Sequence, residues 1–146
     1  MLKGISPLIP PALLMVLSEM GHGDCIVLAD ANYPAMSGNA RHVIRTDGIG
    51  IPELLDGILR LFPLDTFIER PVSMMAVVQG DDYVPEIWEE YRRVFKNHGV
   101  DESKLEFLER FEFYSKAKNV YCVVATGERA RYGNILLQKG VIDAGE

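Results

Sequence analysis

The sequence predicts an α/β domain: a layered α/β/α arrangement around a mixed, largely parallel sheet. Three observations carry this prediction. Short continuous apolar runs alternate with amphipathic helical patterns, the mark of strands joined by helical crossovers. The final apolar run follows its predecessor too closely for such a crossover, so the last strand is expected to run antiparallel or to sit in an extension. The chain has 146 residues, 48% of them hydrophobic and 25% charged, which suits one domain over residues 1–146 that folds without disulfides or metal.

The elements follow in order. Ser6-Pro7 reads as a helix start, with Pro10-Pro11 delaying the regular helix to about residue 11. The apolar run from Ala12 to Leu17 continues to Met20, and Gly21 is placed to terminate it. Residues 25–29 form a buried strand. Asn32, Pro34, Ser37, Gly38 and Asn39 make residues 30–42 a loop. A short strand at 43–45 precedes a turn at Asp47-Gly48. Leu54, Leu55, Ile58, Leu59 and Phe62 fall at helical spacing over residues 52–62, and Pro63 stops that helix. Residues 72–79 read as a second buried strand. Pro85 opens a helix whose apolar face is Ile87, Trp88, Tyr91, Val94 and Phe95, closed by Gly99. Phe107, Phe111 and Tyr114 suggest one helix over 105–118. Strands at 121–126 and from Ile135 to Leu137 complete the chain.

Charge and composition exclude several functions. Fifteen basic against 21 acidic residues give a net charge of −6, a poor match for phosphate backbones, so no nucleic-acid partner is expected. No apolar run reaches the roughly 20 residues that cross a bilayer, and the N-terminus carries no secretory pattern, so the expected compartment is the cytoplasm. Cys25 and Cys122 each lie in an apolar run and read as reduced core thiols. There is no CxxC, no Cys/His cluster, no GxGxxG, GxxxxGK[ST], HExxH or GxSxG; neither a metal centre nor a nucleotide cofactor is indicated. Gly48-Ile49-Gly50 reads as a turn.

Four segments remain that suit chemistry. In Gly21-His22-Gly23-Asp24 the histidine lies just past a helix C-terminus, where the helix dipole favours imidazolium and a proton donor/acceptor is well placed; a plain capping role fits equally. Asp30 closes the strand at 25–29, the end at which open α/β sheets hold ligands, or else forms an Asx-turn. Arg110, ahead of Phe111 and Tyr114, offers a planar fork for two hydroxyls or a carboxylate, or a surface ion pair. In residues 126–134, Tyr132 offers a relay phenol and Asn134 a donor and acceptor, or the segment is a tight turn with Gly133 at positive φ. His98 reads as structural at a helix end, and His42 as a loop-end residue.

Taken together, the ordered set of segments resembles the family of small sugar-anomer enzymes that includes L-fucose mutarotase and D-ribose pyranase. The likeness runs from Leu2-Lys3-Gly4-Ile5-Ser6-Pro7 through Gly21-His22-Gly23-Asp24, Asp30-Ala31, Val43-Ile44-Arg45 with Asp47-Gly48, and Arg110-Phe111 with Phe113-Tyr114. It then takes in Thr126-Gly127-Glu128-Arg129-Ala130 and Tyr132-Gly133-Asn134-Ile135-Leu136-Leu137. Arginine before Phe111 and the Tyr-Gly-Asn triplet are similar to the fucose branch. Asn32-Tyr33 departs from the His-Phe often found after Asp-Ala in bacterial members, which alters the pocket rim and bears on sugar preference.

The resemblance implies His22 as the proton-transferring residue and Asp30, Arg110, Tyr132 and Asn134 as sugar contacts; the ring-opening chemistry then leaves the anomeric proton to Tyr132 or to a water it orders. That chemistry needs no cofactor and requires no metal. The resemblance implies a homo-oligomer, often a decamer, whose site is completed across a subunit boundary. The expected activity is interconversion of the α and β anomers of L-fucose or a related monosaccharide. Pyranase-type pyranose/furanose exchange and a non-catalytic sugar-binding oligomer are the alternatives.

Overall fold

Proline and glycine placement sets the helix boundaries. The structure, a computed structural model, describes residues 1–146. Helix α1, Pro11–Glu19, starts with Pro10 as its N-cap and Pro11 in its first turn, where the missing N–H costs nothing. The Ser6-Pro7 start is therefore not used. Met20, in extended conformation, ends the helix, and the left-handed glycine beyond it is Gly23 at φ 85°, not Gly21. Strand β1, Cys25–Ala29, follows, then β2, His42–Thr46, one residue longer at each end than its pattern indicated. Helix α2, Ile51–Leu59, buries Ile51, Leu54, Leu55 and Ile58.

Strand β3, Val72–Met75, is shorter than its apolar run. The Ala76 N–H still donates to the Leu108 carbonyl, after which the chain leaves the sheet. Helix α3, Ile87–Asn97, buries Ile87, Tyr91 and Phe95 and ends at His98 and Gly99, the latter at φ 71°. The single helix expected over 105–118 is instead strand β4, Leu105–Leu108, followed by helix α4, Arg110–Ala117. The break is fixed by Glu109, whose side chain accepts from the N–H groups of Phe111 and Glu112 and so caps α4. Strands β5, Cys122–Thr126, and β6, Ile135–Gln138, close the fold.

The sheet order is β2-β5-β1-β6-β3-β4. β5 pairs parallel with β1 and β2, and β3 parallel with β4, while β6 runs antiparallel between β1 and β3. The sheet is thus mixed, with β6 alone reversed. Alternate residues divide the core. Ile26, Leu28, Cys122, Val124, Ile135, Leu137, Val72 and Met74 face α1, α2 and α3. Val27, Ala29, Val123, Leu136 and Met75 face the Phe113 and Ala117 side of α4. Lys116 of α4 donates to Ser73 Oγ at 2.7 Å and to Glu106 Oε1 at 2.9 Å, tying that helix to β3 and β4. No helix is long and apolar enough to cross a membrane. The two free thiols lie on opposite faces of the sheet.

Candidate active site

Parallel strands place their carboxyl ends on one edge of the sheet, and there the structure gathers three of the expected residues. Asp30 follows β1 and Asn134 precedes β6, its antiparallel neighbour. The Asp30 backbone N–H donates to Asn134 Oδ1 at 2.7 Å, locking the two together. Both residues are buried. Asp30 Oδ1 accepts from the Asn32 N–H at 2.9 Å, so the Asx-turn reading holds as well. Burial pushes the Asp30 carboxyl above the usual carboxylate range, against backbone N–H donors that pull it down. Asn134 Nδ2 makes no hydrogen bond within the chain.

Tyr132 stands beside them with φ at 58°, a backbone region that side-chain-bearing residues rarely adopt. The positive φ expected at Gly133 therefore falls one residue earlier. Two α3 side chains hold the loop in this state. Trp88 Nε1 donates to the Tyr132 carbonyl at 2.9 Å, and the Tyr91 hydroxyl to the Gly133 carbonyl at 2.7 Å. The Tyr132 hydroxyl donates to Asp81 Oδ2 at 2.6 Å and receives the Val78 N–H at 3.4 Å. Arg131 also reaches Asp81 Oδ2 and lies over the Tyr83 ring, 4.6 Å from its centroid. The Tyr132 hydroxyl, with the Tyr83 N–H, holds the Asp81 carboxyl below its ordinary range.

Arg110 occupies the same edge in the first turn of α4, beyond β4 and three strands from β1. It makes no ion pair; its guanidinium lies 4.6 Å from the centroid of the Phe111 ring, which is itself 66% exposed. Neither a hydrogen bond nor an ion pair joins Arg110 to Asp30, Tyr132 or Asn134.

His22 is not brought to this edge. It sits in the turn before β1, at the opposite end. Asp24 Oδ2 accepts the Gly21 N–H at 2.7 Å, and Gly23 N–H donates to the Lys139 carbonyl just past β6, so the turn is pinned. Lys139 Nζ caps α1 by donating to the Leu17 and Met20 carbonyls. His22 Nε2 lies 3.2 Å from Asp65 Oδ1, and Nδ1 makes no hydrogen bond within the chain. The imidazole is 45% exposed and Asp65 only 2%. Asp65 also accepts from the Phe67 N–H and from Gln138 Nε2, each at 2.9 Å. These donors, the Phe67 N–H foremost, hold its carboxyl below the ordinary range. An open hollow of about 460 Å³ beside His22 is walled by Leu14, Leu17, Leu61, Pro63 and Val141.

Asp65 and Asp81 escaped the sequence reading. Each lies 43 or more positions from the ring it supports. The one local signal was the Gly80-Asp81-Asp82-Tyr83 turn just past the carboxyl end of β3. His98 is structural, pairing with Asp56 at 2.8 Å across α3 and α2. His42 opens the edge strand β2, tilted against the Tyr121 ring and 4.0 Å from Glu19 at the end of α1.

Comparison with known proteins places the chain in a family. Residues 3–142 match the RbsD / FucU transport protein family. An L-fucose mutarotase of Actinobacillus pleuropneumoniae is 52% identical over 141 residues, 97% of each chain. The crystal structure of the fucose mutarotase from Streptococcus pneumoniae in complex with L-fucose is 51% identical, with a TM-score of 0.92 over 97% of this chain and 100% of that one. RbsD of Bacillus subtilis complexed with D-ribose is more distant, at 25% identity and a TM-score of 0.75 over 98% of this chain and all of that one. With the match spanning nearly every residue, the chain belongs to the RbsD / FucU family.

Proposed function

We propose that this chain is an isomerase that interconverts the α and β anomers of L-fucose by opening and reclosing the pyranose ring. The observation that carries the reading is its likeness, at about half identity over nearly all its length, to fucose mutarotases, one of them solved with L-fucose. The weaker likeness to a ribose-bound relative ranks pyranase activity second.

The reaction needs only proton transfers. The anomeric hydroxyl loses a proton, the ring oxygen gains one, and the open aldehyde turns about its first carbon–carbon bond before closing on the other face. One group acts as acid and another as base, and they exchange roles on closure. His22 is the proposed donor to the ring oxygen. Asp65 fixes the imidazole ring and supplies a counter-charge when it is protonated. Tyr132 takes the anomeric proton. Asp30, Asn134 and Arg110 hold the remaining hydroxyls, Asp30 as a buried acceptor and Asn134 through its free amide donors. Spontaneous mutarotation takes minutes, so general acid–base catalysis of about 10²–10⁴-fold with positioning suffices.

His22 and Tyr132 act on one sugar only if two chains supply them, because β1 holds them apart. The site is therefore proposed to form where the His22 end of one subunit meets the Asp30 end of the next. Exposed apolar side chains flank both ends: Phe67 and Ile142 near His22, Val84 beside Tyr83 and Phe111 at the start of α4 at the other end. Different patches meeting head to tail make a heterologous contact, which forms a ring when its rotation closes. A homo-oligomer of this kind, a decamer among the family's assemblies, is the proposed state. The cytoplasm is the proposed compartment, in keeping with two free thiols.

Saturation transfer between the α and β anomeric protons of equilibrated L-fucose tests the reading, with D-ribose and D-glucose alongside. Enhanced exchange of L-fucose is the expected result. Enhancement with D-ribose alone moves the chain to pyranase activity, and enhancement with no sugar leaves a binding protein.

A further inference from the structure

The hydrogen-bonding capacity of the Tyr132 hydroxyl is nearly spent inside the chain. A phenol has one proton to donate and two lone pairs to accept with. The proton goes to Asp81 Oδ2 at 2.6 Å, and one lone pair meets the Val78 N–H at 3.4 Å. One lone pair remains. Tyr132 thus meets a ligand as an acceptor, and the ligand group opposite it must be a donor.

The arrangement is built rather than incidental. Asp81 Oδ1 accepts the Tyr83 N–H at 3.0 Å, and Arg131 joins Tyr132 on Oδ2, so both carboxylate oxygens are held. The Tyr132 backbone is kept at positive φ by Trp88 and Tyr91. Its ring packs near Tyr83, with centroids 5.9 Å apart. Four side chains from three separate segments converge to aim one hydroxyl proton at one carboxylate oxygen.

Resting on the anomer-interconversion reading, we propose that Asp81 is the proton acceptor behind Tyr132, so that the base of the reaction is the pair rather than the tyrosine alone. As the sugar opens, the anomeric O–H bond breaks and its proton passes to the Tyr132 oxygen. In the same movement the Tyr132 O–H proton passes to Asp81 Oδ2. The electron pair left on the anomeric oxygen forms the carbonyl at the first carbon. The bond from that carbon to the ring oxygen breaks, and the ring oxygen takes its proton from His22 of the neighbouring subunit. Asp81 becomes neutral as His22 loses its charge. Reclosure returns both protons, and free phenolate is formed at no point. Asp81 is a positioning residue for Tyr132 and also the store of the proton.

Asp81→Asn separates the two roles. The carboxamide oxygen still accepts from Tyr132, so a purely positional role survives the change, whereas an amide does not take up a proton. The expected result is a loss of anomer exchange of about 100-fold, the lower range for acid–base groups. The L-fucose dissociation constant, read from Trp88 fluorescence, is expected to stay within about threefold. Tyr132→Phe and the double variant are expected to fall to the same level, because residues acting as one unit are not additive. Asp81→Asn with exchange within about threefold of the unmodified protein overturns the relay, and so does a double variant that falls a further tenfold or more. If Asp81→Asn does not fold, Asp81→Glu replaces it: exchange above that of Tyr132→Phe supports the relay, and exchange no better overturns it. Absence of exchange by the unmodified protein is a different failure, that of the mutarotase reading itself.

Discussion

His22 and Asp30 stand at opposite ends of one strand. The five residues of β1 separate them, roughly 17 Å of extended chain. Each end is fixed independently: His22 on Asp65, and Asp30 on Asn134. Under the proposed mechanism, the two ends of one chain serve two different sites.

That separation predicts complementation between inactive subunits. His22→Ala leaves the Asp30 end intact, and Asp30→Asn leaves the His22 end intact. When the two variants are co-expressed, random head-to-tail assembly yields an intact pair at roughly a quarter of the boundaries. Activity recovered to about that fraction is the expected outcome. Mixed oligomers as inactive as either parent would place each site within one chain.

His22→Ala is expected to keep the fold, since the imidazole is half exposed and the turn is pinned by backbone bonds to Lys139. Anomer exchange should fall by about 10²-fold or more. Asp65→Asn should lose less, because the amide still orients the ring but carries no charge. Circular dichroism and saturation transfer on both variants check this. Undiminished exchange in His22→Ala removes His22 from the mechanism.

The Gly-His-Gly motif made His22 legible in the sequence, because a histidine between glycines has no packing role. Asp30 and Asn134 were legible through strand ends. Asp65 and Asp81 were not, because nothing beside either aspartate in the chain names the ring it will meet. The same locality explains the misread segment at 105–118. Phe107, Phe111 and Tyr114 fall at helical spacing, yet Phe107 packs from β4 against Trp88 with centroids 4.8 Å apart, and the residues α4 buries are Phe113 and Ala117. The decisive signal was Glu109 as a cap, with Glu112 three residues on.

Asp30→Asn should stabilise the protein while abolishing sugar binding. Burial raises the Asp30 carboxyl above its unfolded value of about 3.9, so ionising it costs the folded state. That cost is full at neutral pH and vanishes as pH falls below the unfolded value. The Asn32 N–H bond survives on the carboxamide oxygen. The variant should therefore melt higher than the unmodified protein at pH 7, with the difference shrinking on acidification toward pH ~4. A melting temperature lowered at pH 7 contradicts the argument.

Trp88→Phe keeps the aromatic contact with Phe107 but leaves the part-buried Tyr132 carbonyl without its donor. The expected loss of stability is about 1 kcal/mol. Because Tyr132 is held at positive φ by that bond, kcat should fall more than KM rises. Denaturant melts and exchange kinetics against L-fucose concentration measure both effects.

Strand β6 is last in the chain and central in the sheet. The halves β2-β5-β1 and β3-β4 are joined in the sheet only through it. During synthesis, which runs from the N-terminus, every earlier strand leaves the ribosome before the one that unites them. Until Ile135–Gln138 emerges, β1 and β3 each present an open edge of unpaired backbone groups, the kind that recruits other chains. A chain cut off before Ile135 keeps those edges permanently and lacks Asn134's strand to anchor the site. Strand β6 thus closes the edges of both halves at once, and folding and formation of the Asp30 end are completed by the same few residues.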